Sequence, residues 1–173
     1  MSLVYAPRFN GLDFFKAAAL GLVLIALQGA APPWLGWAIP ETAVILVVYV
    51  AWQAEKWTAV LAAFLLGLCR DAAGGGLLGV YQVVLILTAW FFHPWRRRVR
   101  LEIPPALMLC VFGLTLGGNL LVLAPLMILS GWPGLVPVPA LMVSSLTTAL
   151  AAPPVFWLLR RLTGEPASGP RHV

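Results

Sequence analysis

At 173 residues the chain could make one ordinary domain, yet 61% of it is hydrophobic and only 10% charged, against roughly 45–50% and 25% in a typical globular protein. Six acidic and eleven basic side chains cannot cover the roughly 30% of its surface that a soluble domain of this size leaves in water, and a mean hydropathy of +0.94 agrees. A water-soluble fold and a separate soluble catalytic head are both excluded, and any chemistry must happen within or beside membrane helices.

The apolar runs are continuous rather than alternating, which argues for helices and against a β-barrel. A span takes roughly 20 residues, so six of them use most of the chain. The predicted fold is all-α, a single six-helix transmembrane domain over residues 1–162 with a cytoplasmic polar tail over 163–173. Segment one runs from Leu12 to Ala31, closed by Pro32-Pro33. The small residues Gly29-Ala30-Ala31 admit a signal peptide, but the leading region is long and Asp13 interrupts its basic residues, which favours an uncleaved helix. Segment two runs from Leu35 to Trp52. Segment three, Trp57 to Cys69, is short for a span and is expected to be short or broken. Segment four runs from Leu77 to Trp95, segment five from Ile103 to Leu129, and segment six from Val138 to Leu159 with Pro153-Pro154 inside it.

Charge placement orients these spans. With both termini cytoplasmic, Arg8, Lys16, Lys56, Arg96, Arg97, Arg98, Arg100, Arg160, Arg161 and Arg171 fall inside, ten of the eleven basic residues, as the positive-inside rule requires. Arg70 alone falls outside. Trp34, Trp37, Trp52, Trp57, Trp95, Trp132 and Trp157 lie near predicted ends, where aromatic anchors belong.

Arg70 and Asp71 are the unusual feature. Each would cost roughly 2.5–3.5 kcal/mol at a helix centre, and Gly74, Gly75, Gly76 and Gly79 just beyond them allow a tight turn with close backbone approach. The expectation is a broken corner carrying an ionisable pair; an ordinary outer loop is the plainer reading. Glu41, near the outer end of segment two, could pair with Arg70.

The run Gly67-Leu68-Cys69-Arg70-Asp71, followed by Gly74-Gly75-Gly76-Leu77-Leu78-Gly79, resembles the central signature of MreD, the bacterial rod-shape-determining membrane protein. In that family an apolar helix ends in Gly-x-x-x-Asp, a small-residue turn and Leu-Gly follow, and the next helix closes on a basic cluster, here Arg96-Arg97-Arg98-Val99-Arg100. Arg70 stands where the family pattern has an apolar residue. The resemblance implies a non-enzymatic inner-membrane component of the cell-elongation machinery. It would bind MreC, help couple MreB filaments to the peptidoglycan synthases, and act with a possible second copy of itself. Gly67, Arg70, Asp71, Gly74, Gly75, Gly76 and Gly79 would form its structural or partner-binding corner.

Membrane helices associate through small residues and occasional polar contacts. Gly113, Gly117, Gly118 and Asn119 give segment five such a helix-packing face, with internal packing and a partner as the two readings. Arg96, Arg97, Arg98 and Arg100 form a cytoplasmic basic cluster, by default a topogenic stop meeting anionic headgroups of the bilayer, and otherwise a docking site for a cytoplasmic protein. No basic face with interleaved aromatics points to nucleic acid. His93, His172, Cys69 and Cys110 lack metal-ligand spacing. Ser144 and Ser145 have no histidine at comparable depth. No cofactor motif is present. Six short helices with a polar outer corner also resemble the substrate-capture subunits of energy-coupling-factor vitamin transporters, with Arg70, Asp71 and Glu41 lining a pocket, although the sequence has few polar residues with which to hold a vitamin.

Overall fold

A chain this apolar must satisfy its backbone donors and acceptors within each segment, which makes helices the economical solution. The computed structural model describes residues 11–30, 39–74, 79–96, 101, 103–130 and 138–163. Among them are six helices and no strand: α1 (Gly11–Gly29), α2 (Thr42–Gln53), α3 (Lys56–Gly74), α4 (Val80–Trp95), α5 (Pro104–Ser130) and α6 (Val138–Leu162). By length and composition two of them, over Pro104–Leu123 and Pro139–Leu162, are long and apolar enough to cross a membrane. Gly75, Gly76, Arg97, Arg98, Arg100 and the tail after Thr163 lie outside the described residues.

Two elements depart from the sequence expectation. The third helix is neither short nor broken: it runs nineteen residues from Lys56 to Gly74, carrying Arg70 and Asp71 in its final turns. Both polar side chains find partners on neighbouring elements, which removes the penalty that would have ended the helix at Cys69. The short helix is instead α2, with twelve residues. It starts at Thr42 rather than Leu35, because Pro40 disfavours a helical residue before it and lacks an N–H of its own.

Helices α1, α3, α4, α5 and α6 pack in a closed ring, each against the next and α6 against α1, around α2, which touches all five. Every residue of α2 from Thr42 to Ala51 is buried, the condition of a helix that is apolar on all sides. Ile45, Val47, Val48 and Tyr49 have no accessible surface. Tyr49 meets Phe156 of α6 edge to face, with centroids 5.3 Å apart. Gly21 of α1 lies where an added Cβ would stand 2.9 Å from Leu46 and 3.0 Å from Leu66, so its smallness lets α1 close on α2 and α3.

The helices do not end at one level. The backbone N–H of Glu41, just before α2, donates to Thr148 Oγ1, a residue ten positions into α6. At ~1.5 Å per residue, α6 continues about 15 Å past the start of α2. Gly118 of α5 packs on Val84, one turn into α4, and on the same rise α5 continues about 12 Å past the start of α4. The α5–α6 pair therefore overhangs the glycine end of the other helices. Lys16, Lys56, Arg96, Arg160 and Arg161 lie at the opposite end, with Glu55.

Removing methylenes from α2 is expected to open a cavity that no neighbour can fill. Ile45→Ala should cost ~2–5 kcal/mol, whereas Leu109→Ala, on a residue 74% exposed, should stay within about 0.5 kcal/mol. Melting of the two variants in mild detergent separates them.

Candidate functional site

The first turn of any helix has backbone donors with no intrahelical acceptor, and an N-cap side chain ordinarily takes those at the second and third positions. The N-cap of α4 is Gly79, which has no side chain, and no acidic residue stands in that first turn. Asp71 of α3 supplies what is missing. Its Oδ2 accepts the Gly79 N–H at 2.8 Å and the Gln82 N–H at 3.3 Å, and its Oδ1 accepts the Tyr81 N–H at 3.2 Å. The carboxylate is 3% exposed. An acidic side chain suits this place, since the N-terminal end of α4 carries partial positive charge.

Gly67 stands one turn earlier on the same face of α3. A Cβ there would come 2.4 Å from Gln82 Cα and 2.9 Å from its backbone N, so only glycine lets the α4 backbone approach closely enough for Asp71 to reach three amides. Gly79 has φ of +95°, the left-handed region glycine enters without penalty, and this turns the chain into α4. The Gly-x-x-x-Asp spacing thus has a mechanical meaning: the first residue admits the neighbouring helix and the second caps it. Gly74 ends α3.

Arg70 points to a different neighbour. Its Nη2 donates to Glu41 Oε1 at 3.3 Å and its Nε to Oε2 at 3.4 Å, and the guanidinium lies 4.9 Å from the Tyr81 ring centroid. The pairing with Glu41 anticipated from sequence is present. Thr148 Oγ1 accepts from Glu41 N and donates to Ser144 O at 2.7 Å, while Thr42 Oγ1 donates to Gln28 Oε1 at 3.5 Å. One polar seam therefore ties α6, α2, α1, α3 and α4 together at a single level. Sequence reading did not find Thr148, Tyr81 or Gln82, because their contribution is a hydroxyl, a ring face and a backbone amide at positions that carry no motif.

The other anticipated sites separate. Gly118 packs inside, its Cβ position 3.0 Å from Val84, but Gly113 and Gly117 have nothing within 4 Å of theirs and face outward. The face expected of all four residues is two faces. Asn119 Nδ2 is buried without a hydrogen-bond partner, as is Thr115 Oγ1 one turn before it. At the basic end Arg96 Nη1 donates to Ala54 O at 2.6 Å, closing the C-terminus of α2 with a cation as the dipole favours.

This arrangement holds helices together. Glu41 and Arg70 engage each other, and Asp71 engages backbone amides. A groove of about 210 Å³ between α1, α2 and α3 is lined by apolar side chains, among them Ala17, Leu22, Leu46, Val50, Leu66 and Cys69, and offers a polar vitamin no partner. Among the described residues no group of three His, Cys, Asp or Glu could hold a metal ion.

Asp71→Ala leaves three amides without their acceptor and should cost ~2–3 kcal/mol. Asp71→Asn keeps one acceptor oxygen and should lose less. Gly67→Ala forces the two backbones apart at ~1–3 kcal/mol. Detergent melting of the three variants against wild type checks the order.

No curated protein and no solved structure matches the chain, so the likeness to vitamin-capture subunits gains no support. A family model described as rod shape-determining protein MreD matches residues 12–162, from the start of α1 to the end of α6, and includes the Gly67–Asp71 clasp. With that match covering most of its length, the chain belongs to the MreD family of rod shape-determining membrane proteins.

Proposed function

We propose that the protein is the polytopic, non-enzymatic component of the bacterial cell-elongation complex. It crosses the inner membrane six times with its basic end in the cytoplasm, and it binds MreC within the bilayer. Through that contact it helps couple MreB filaments to the peptidoglycan synthases. Orientation is supported by charge: Lys16, Lys56, Arg96, Arg160 and Arg161 gather at one end and Arg70 at the other, the asymmetry that sets topology.

The observation that carries the partner reading is the outward face of α5. Gly113 and Gly117 are separated by one helical turn, face open space, and are flanked by the exposed Leu109 and Leu120. Two glycines at this spacing let a second helix backbone approach closely, where packing rather than hydrophobicity drives association in lipid. A single-span partner such as MreC brings one helix of the kind this face accepts. Asp71 serves the assembly at one remove, by holding the helices whose packing sets the position of α5.

Coexpression of the tagged chain with MreC, extraction in mild detergent and quantification of the copurified partner test this. Gly113→Ile with Gly117→Ile should reduce MreC recovery at least tenfold while the melting temperature stays near wild type. Asp71→Ala should impair assembly far more than Glu55→Ala. Undiminished recovery with the double glycine variant, or capture of a second copy of the chain alone, would contradict the assignment.

A further inference from the structure

The basic end of α6 has a feature that neither topology nor partner binding requires. Arg160 and Arg161 follow one another in its last turn, and neither is paired with a carboxylate among the described residues. Arg160 lies with its guanidinium carbon 4.9 Å from the Trp52 ring centroid, and its Nε is buried without a hydrogen-bond partner. Arg161 lies 5.4 Å from the Trp157 ring, a side chain 62% exposed. A third cation arrives from α1, where Lys16 Nζ donates to Leu162 O at 3.2 Å, within the same turn.

We propose that this turn is a binding site for the phosphate of an anionic phospholipid, gripped by Arg160 and Arg161 with Lys16 beside them. Stacking on an indole leaves the edge of a guanidinium available, and that planar fork matches two phosphate oxygens. Arg160 Nε is buried, so the terminal amino groups of the guanidinium are the donors that meet such an oxygen. Tryptophan at the same level is at home in the headgroup layer, and the exposed Leu158 and Leu150 give an acyl chain an apolar path along α6. The lipid is the occupant because the site lies at the end of a membrane-length apolar helix, where phosphate is the prevailing anion. The inference rests only on α6 lying in the bilayer and stands apart from whether MreC binds.

The test uses the full chain purified in mild detergent and delipidated. Phosphatidylglycerol, phosphatidylcholine and inorganic phosphate are added separately, with bound lipid counted by native mass spectrometry and melting followed in parallel. Phosphatidylglycerol should be retained at least fivefold over phosphatidylcholine and should raise the melting temperature, and inorganic phosphate should do neither. Arg160→Gln with Arg161→Gln should remove both effects. Lys56→Gln, which changes a cation over Trp90 on another helix pair, should preserve both. The charge-keeping pair Arg160→Lys with Arg161→Lys guards against misfolding and should retain part of the preference. Equal retention of the two lipids, an equal loss with Lys56→Gln, full retention with the double glutamine variant, or a matching effect of inorganic phosphate would each overturn the proposal.

Discussion

The N-terminus of α4 has no cap of its own, and the fold depends on how that deficit is met. A glycine N-cap leaves donors that neither water nor hydrocarbon at this depth can answer at low cost. Asp71 answers three of them from the neighbouring helix, and it can do so only because Gly67 lets the two backbones close to a distance no other residue allows. Helices α3 and α4 thereby become one unit. The ion pair of Arg70 with Glu41 extends the same level to the start of α2, and Thr148 extends it to α6.

Much of this was legible in the sequence. The helix count and the charge asymmetry followed from composition and loop charge, the Gly67-to-Asp71 signature from its resemblance to the family pattern, and the Glu41–Arg70 pair from two opposite charges assigned to one side. What failed has a common cause. Reading Arg70 and Asp71 as a break treated them as unsatisfied charges, whereas Asp71 meets backbone amides of the next helix, which carry no signal in the side-chain pattern, and Arg70 meets Glu41, 29 residues back in the chain. Apolarity could not single out α2 as the core either. In a soluble protein an all-round apolar helix is central, but in a membrane protein lipid-facing helices such as α5 are equally apolar, and only packing distinguishes Ile45 from Leu109. The same ambiguity hid the division between Gly118, turned inward, and Gly113 with Gly117, turned outward.

These pieces give the molecule three distinct surfaces. The glycine end, where the α5–α6 pair overhangs the shorter helices, is tied by internal polar contacts. The long face of α5 is left to lipid or to another helix, and the basic end presents arginines laid over tryptophans.

The central claim, that Asp71 caps α4 from α3, is tested most directly by hydrogen exchange at single amides. First-turn amides of a helix ordinarily exchange quickly because nothing accepts their protons. Site-resolved exchange on the detergent-solubilised protein should find Tyr81 and Gln82 protected to the level of the α4 interior in wild type, and at least tenfold faster in Asp71→Ala with the rest of α4 unchanged. Amides at Tyr81 and Gln82 that exchange at the same rate with and without the carboxylate would contradict the account.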